Sequence, residues 1–270
     1  MKAFILAALA VLGVGGALRA DERLFGYVYE AEVLPKGALE IEQMVTNRNG
    51  KAEGVYSAWD LSTEIETGLT DALTSALYFK MKSLYSSVHD PVSDTDVDSE
   101  EFHFEGLASE WKWRLASPHE RWLGAVAYLE LAYNGPEFEA EAKLILQHNF
   151  GDDLVWAMNF MAENEYAYTA SSQSVMGISE FSTGLAYKIT PAFSLGLEAR
   201  NQRHWPGNWS TQADSAWSAG PAFHLACDKW WATFTVLPQL SGTPETISGD
   251  GRELVEHERV ETRLVAGLDF

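Results

Sequence analysis

The side chains able to do chemistry are spread along this chain rather than gathered in a motif. Seven histidines are present: His89, His103, His119, His148, His204, His224 and His257. A hydrolytic histidine needs a nucleophile and an orienting acid within hydrogen-bond reach. No Gly-x-Ser-x-Gly elbow, no His-Glu-x-x-His zinc motif and no His-x-Ser pair accompanies any of the seven. His224 is expected to face inward from a strand, beside Gly220 and Ala222. A lone histidine there is far more often a hydrogen-bonded structural residue than a base. His89 and Asp90 are neighbours, and adjacency in sequence argues against their acting as a pair. No catalytic residue and no cofactor are expected.

The stretch from Asp94 to Glu101 reads DTDVDSEE. Acids at alternate positions, here Asp94, Asp96, Asp98 and Glu100, are weak candidates for calcium ligands. An EF-hand loop, however, needs glycine at its sixth position, where this chain has Ser99. A solvated acidic loop, or divalent-ion bridging to lipopolysaccharide phosphates, explains the same residues. The whole chain carries a net charge of −20, which excludes a partner recognised through phosphate-binding lysine and arginine clusters, so nucleic acid is not expected.

Most charges instead alternate with apolar residues at period two, the signature of strands with one apolar and one polar face. Trp59, Leu61, Thr63 and Ile65 oppose Asp60, Glu64 and Glu66. Phe138, Ala140, Ala142 and Leu144 oppose Glu139, Glu141 and Lys143, and Phe193, Leu195 and Leu197 oppose Glu198 and Arg200. The full polar-face set includes Glu40, Glu42, Lys80, Lys82, Glu110, Lys112, Arg114, Glu163, Arg259, Glu261 and Arg263. So many charges on one sheet face need water or one another. A soluble sandwich alternates too, but its apolar face points inward. A membrane barrel turns the apolar face to lipid and the charged face to a lumen.

Three features favour the barrel. Connections alternate between short turns and longer loops, with long external loops expected at Leu84–Glu100 and Ser241–Glu256, which gives about twelve antiparallel strands with the short turns periplasmic. Tryptophans collect near the short turns: Trp111, Trp113, Trp156 and Trp230, with Trp231 close by and Phe270 at an equivalent height, form the expected periplasmic girdle. The last segment, RVETRLVAGLDF, ends on phenylalanine with apolar residues at every second place before it. That pattern is similar to the signal by which outer-membrane proteins engage the barrel-assembly machinery. Glu101–Leu115 changes face near Leu107, so a bulge is expected there. Pro221 and Pro238 should lie at strand ends or bulges, because a closed barrel has no edge.

The amino-terminal MKAFILAALAVLGVGGALRA has a positive start, an apolar run and small residues, the pattern of a secretory signal peptide over residues 1–20. Cleavage is expected after Ala17 or Ala20. Residues 21–270 then form one barrel domain integral to the outer membrane, in contact with its lipid and lipopolysaccharide. A single cysteine, Cys227, excludes an internal disulfide.

Residues Leu34–Phe79 carry Pro35-Lys36-Gly37-Ala38-Leu39-Glu40 and Glu66-Thr67-Gly68-Leu69-Thr70-Asp71, and Gly220–Leu225 reads GPAFHL. Here the chain resembles a group of bacterial outer-membrane barrels similar to transporters of the phenol-degradation (MetA-pathway) type, and distantly to fatty-acid channels. The resemblance implies the barrel fold and the outer-membrane location. This chain has fewer strands than a fatty-acid channel, and its sequence shows no apolar amino-terminal plug. The expected function is passive passage of small solutes through an acidic lumen. A non-conducting barrel that binds through its acidic external loops is the alternative, and a hydrolase of lipid or lipopolysaccharide stands behind both.

Overall fold

The computed structural model of the protein describes residues 23–169, 172–207 and 209–270. The signal peptide expected over residues 1–20 lies outside them. Twelve strands form a closed antiparallel barrel: β1 (Leu39–Asn49), β2 (Val55–Thr70), β3 (Leu73–Asp90), β4 (Thr95–Ala116), β5 (Gly124–Tyr133), β6 (Glu137–Phe150), β7 (Leu154–Tyr168), β8 (Gln173–Thr190), β9 (Phe193–Pro206), β10 (Asp214–Ala226), β11 (Trp230–Thr243) and β12 (Val260–Asp269). Each pairs with its sequence neighbours, and β1 closes on β12 with Glu40 opposite Asp269 and Asn49 opposite Val260. Closure gives every strand a neighbour on both sides and leaves no edge, the condition for a sheet in contact with lipid.

The alternation sets the two faces. Leu77, Phe79, Leu107, Leu144, Phe160, Leu197, Phe234 and Leu264 project outward and are exposed. Glu40, Glu42, Glu64, Glu66, Glu110, Lys112 and Glu198 project inward and are buried. Both termini of the barrel, Leu39 and Asp269, lie at the end that carries the short connections, called here the turn end. The opposite end is the loop end.

At the loop end the strands run further than the sequence pattern indicates. The long connection expected at Leu84–Glu100 is instead a continuation of β3 and β4, paired from Leu84↔Glu101 to Asp90↔Thr95, and only Pro91–Asp94 turn. At 22 residues, β4 is about twice the 9–11 needed to cross an apolar slab, so this hairpin stands well beyond it. Its face change is a bulge in which β3 skips Glu105, between Lys80↔Gly106 and Met81↔Phe104. Gly106 has φ +117°, and a Cβ there would stand 2.5 Å from the Tyr133 carbonyl oxygen, so only glycine fits the bulge.

Pro221 and Pro238 are found inside β10 and β11 rather than at their ends. They lie where the β10–β11 pairing lapses over Ala219–Pro221, beside a register shift at Trp217/Ser218. On the β10–β11 side no ladder bond there calls for a proline N–H, while Pro221 stays in register with Leu197 of β9 and Pro238 with Val260 of β12. The connection expected to be an open loop at Ser241–Glu256 begins only after Thr243 and folds back against the barrel, where Glu253, Leu254, His257 and Glu258 are buried.

Candidate functional site

The lumen is divided by the segment that precedes the first strand. Residues Arg23–Leu34 enter the barrel at the turn end, and Leu24, Phe25, Tyr27, Val28, Ala31, Val33 and Leu34 are all buried there. An amino-terminal plug, which the sequence pattern does not show, is therefore present in the structure. The segment is not a strand, so its backbone must find partners elsewhere, and inward side chains of six strands supply them. Glu198 on β9 accepts three successive N–H groups, from Gly26 at 2.7 Å, Tyr27 at 2.9 Å and Val28 at 3.1 Å, and also the Thr235 hydroxyl of β11 at 2.6 Å. Asn159 on β7 accepts from the Tyr29 N–H at 2.7 Å and donates to its carbonyl at 2.8 Å. Gln147 on β6 accepts from Ala31 at 2.8 Å, and Thr74 on β3 accepts from Leu34 at 2.9 Å. Arg23 ion-pairs with Glu42 of β1 at 3.6 Å.

The apolar side of the segment has its own seat. Phe25 packs with Leu24 and Val28 on Val155, Ala157, Ala186 and Ala222, and its ring lies over Gly184 and Gly196. All but Val155 of these inward positions hold alanine or glycine, where the next inward positions on the same strands include Asn159, Ser182, Ser194, Glu198 and His224. Ala31 and Val33 pack with Val126, Tyr128 and Ile145. The signal that could have revealed the plug is this pairing of two features. One is an aromatic run, Phe25-Gly26-Tyr27-Val28-Tyr29, ahead of the first strand. The other is a patch of alanine and glycine on an otherwise polar face.

Above the plug, toward the loop end, is a chamber of about 340 Å³ floored by Tyr27 and Tyr29. Arg263 and Arg200 lie over the Tyr27 ring, 3.8 and 4.9 Å from its centre, and Lys143 lies 4.5 Å from that of Tyr29. Seven acids and four bases line the chamber, Asp60, Lys80, Glu139, Glu141, Lys143, Glu163, Arg200 and Arg263 among them. A second cavity of about 450 Å³ opens from it toward the loop end and shares Thr46, Asp60, Arg200, Gln202 and Arg263 as walls. A third, of about 350 Å³, lies at the turn end among Glu30, Glu32, Arg114 and His119, and shares no wall with the other two. Residues Arg23–Leu34 stand between.

Many of the inward charges expected from the sequence are paired. Arg200 bridges Glu180 at 2.6 Å and Glu261 at 3.0 Å. Lys112 meets Glu66 and Glu110, Lys143 meets Glu141 at 2.6 Å, Arg48 meets Asp60 at 2.8 Å, and Lys80 meets Glu130. Arg263 donates to Thr46 at 2.8 Å. Glu64 is buried beside Glu66 and Glu110, and Lys82 faces inward opposite Asp60 of β2. Two residues of the expected set sit at the ends of the barrel. Arg259 precedes β12 and reaches Asp250 at 3.3 Å, and Arg114 bonds the Asp71 carbonyl at a short turn.

Trp111, Trp113, Trp156 and Trp230 lie on the outward face near the turn end, and Phe270 ends the chain there. Trp111 and Trp113 stack 6.2 Å apart. Trp231 departs from that set. It points inward, is fully buried, and donates from its indole to Glu40 at 3.0 Å. His224 also faces inward and contacts the Thr233 hydroxyl at 2.9 Å.

Asp96, Asp98 and Glu100 occupy alternate places of the extended β4, and Asp94 forms its turn at φ 55°. Among the described residues the tight groups of potential ligand atoms are elsewhere, at Glu64, Glu66 and Glu110 and at His204, Asp214 and His257. His89 pairs not with its neighbour Asp90 but with Asp96 across the hairpin, at 3.2 Å. Asp90 accepts the Val92 N–H and the Ser93 hydroxyl, which hold its carboxyl below the ordinary aspartate range.

A closed antiparallel barrel, apolar outside and charged within, is the fold of outer-membrane channel proteins. The chain belongs to a family of unknown function, DUF6662, whose model matches residues 17–270. No curated protein matches it by sequence. Among solved structures it is similar to the COG4313 outer membrane channel from Pseudomonas putida F1, at 13% identity and a TM-score of 0.60, over 89% of this chain and 98% of that one. It is also similar to the translocator domain of the autotransporter NalP from Neisseria meningitidis, at 10% identity and 0.53, over 86% and 88%. A third likeness is to the NanC porin, at 9% identity and 0.51, over 86% and 100%. At such identities the shared property is the fold.

Proposed function

We propose that this chain is an integral outer-membrane channel for small polar solutes, with a preference for cations, and that residues Arg23–Leu34 hold it closed from the periplasmic side. In this reading residues 1–20 are the signal peptide, the turn end faces the periplasm and the loop end faces outward. The final strand then engages the assembly machinery. The outward apolar belt meets lipid, and the loop-end hairpins stand among lipopolysaccharide.

The observation that carries the reading is the charged chamber above Tyr27 and Tyr29, continuous in its walls with the loop-end cavity, with residues Arg23–Leu34 between it and the turn end. Acids outnumber bases on its walls, and a low-dielectric shell around a water-filled chamber strengthens their field on a passing ion. The outer-membrane channel and the porin that share the fold are consistent with passage as its use. No catalytic role is proposed.

Single-channel recording of the refolded protein in planar bilayers tests this. Wild type should show rare, brief openings. Protein that starts after Leu34 should conduct steadily, with a reversal potential displaced toward that of the cation in a salt gradient. Silence from the shortened protein, with its barrel intact by heat-modifiable migration, would refute passage and leave a barrel that acts through its loops.

A further inference from the structure

At the loop end, outside the charged chamber, two imidazoles converge on one carboxylate oxygen. His204, near the end of β9, places Nδ1 2.8 Å from Oδ1 of Asp214, the first residue of β10. His257, in the connection between β11 and β12, places Nε2 2.7 Å from the same oxygen. The two rings are nearly parallel, 13° apart, with centres 4.9 Å from one another. Asp214 and His257 are buried, and His204 is mostly so.

We propose that His204, Asp214 and His257 form a binding site for a divalent transition-metal ion of the zinc type, and that the ion fastens the β11–β12 connection over the loop-end cavity. Two imidazole nitrogens and one carboxylate oxygen are a donor set suited to zinc or copper and poorly suited to calcium or magnesium, which take oxygen. The three ligand atoms lie within 4.8 Å of one another. Zinc bonds of about 2.0–2.2 Å in a tetrahedron place ligand atoms about 3.3 Å apart, so each nitrogen needs to withdraw from the oxygen by only about half an ångström. Coordination asks each ring to offer a lone pair, so the proton each now directs at Asp214 moves to its other nitrogen. His204 and Asp214 also line the loop-end cavity, which leaves a side open for a water molecule as the fourth ligand.

The connection that supplies His257 is held in place independently of any ion. Glu253 accepts the N–H groups of Val255, Glu256 and His257 at 2.9, 3.0 and 3.1 Å. Gln239 of β11 donates to the Glu253 and Glu258 carbonyls and accepts the Glu253 N–H. Lys51 pairs with Glu258 at 3.1 Å. His257 is thus delivered to Asp214 by an ordered backbone, which lowers the entropic cost of assembling the ligands.

The test uses full-length refolded protein and two metals. Calorimetry with zinc alone should show one site per chain in wild type, absent in His257→Ala and in His204→Ala. With zinc at ten times its Kd, tryptic cleavage after Arg252 should slow about tenfold in wild type and remain unchanged in His257→Ala. Copper supplies a signature that a disordered loop cannot imitate. Its electron paramagnetic resonance should carry hyperfine coupling to two nitrogens in wild type and to one in His257→Ala. Equal zinc stoichiometry in wild type and both variants, or copper spectra without nitrogen coupling, would overturn the site. None of the three readouts depends on whether the barrel conducts.

Discussion

The ring of Phe25 lies directly over Gly184: a Cβ built on that glycine would stand 2.6 Å from the ring's Cε1, though 159 positions separate the two in the chain. Gly196, on the next strand, meets the same ring at 3.1 Å. A side chain at position 184 and a seated Phe25 therefore exclude one another. We expect Gly184→Leu to push the ring from its seat and raise the open probability of the channel in bilayer recordings. Phe25→Ala should act in the same direction, since removing a buried phenylalanine costs about 3–5 kcal/mol of packing. Wild-type traces from both variants, with intact barrels, would show that the plug does not gate.

Glu198 binds the other side of the same turn. Its carboxylate accepts from Gly26, Tyr27 and Val28, and bonds to a charged acceptor contribute about 1.5–3 kcal/mol each. In Glu198→Ala these three amides lose their common partner. Their hydrogen exchange should speed up by at least about tenfold, each 1.4 kcal/mol being one decade, while amides of β9 itself keep wild-type protection. Unchanged exchange at Gly26–Val28 would mean that packing alone seats the segment.

Glu139, Glu141 and Glu163 share the wall of the charged chamber, with Lys143 as a neighbouring base. Replacing all three by glutamine leaves the shape of the chamber nearly unchanged and takes three acidic groups from its wall. In protein shortened to open the path, the reversal potential in a salt gradient should move toward zero or reverse sign. The difference from wild type should be largest at low salt, where the Debye length is about 30 Å at 0.01 M and screening is weakest. An unaltered reversal potential would place the selectivity elsewhere in the lumen.

The tip of the β3–β4 hairpin should respond to acid. Asp90 accepts from Val92 and Ser93 only as a carboxylate, and these bonds lower its pKa below the ordinary 3.8. A lowered folded-state value means that the stabilisation is complete above the unfolded value and is lost as the pH falls through the folded one. The Val92 amide should therefore exchange faster, after correction for intrinsic rates, only below pH 3.8, and Asp90→Asn should remove the pH dependence. A transition at higher pH would assign it to another group.

The period-two alternation was enough to specify strands, and the charges it placed on one face were enough to require a closed wall. Alternation is a local property, because successive side chains of any extended backbone point to opposite sides. The short turns, the outward Trp113 and Trp230 and the inward Glu40 and Glu198 follow from it residue by residue. Strand lengths at the loop end were less legible. The polar run through Asp94–Glu100 reads as loop by composition, yet it pairs with β3, since ladder bonds form from backbone and tolerate acids beyond the apolar belt.

What only the tertiary structure decided is how the lumen is used. The stretch Arg23–Leu34 has the apolar composition of a strand, but all twelve wall positions are taken by other segments, and its N–H groups are satisfied instead by Glu198, Asn159, Gln147 and Thr74 from four different strands. Local propensity cannot register partners 40 to 172 residues away. For the same reason His204, Asp214 and His257 are three unremarkable letters in the sequence. They become a cluster because the β9–β10 hairpin and the β11–β12 connection meet at one rim. Sequence periodicity fixes which way a side chain faces. Barrel closure fixes what it meets there, because closure brings the inward faces of distant strands around one common space.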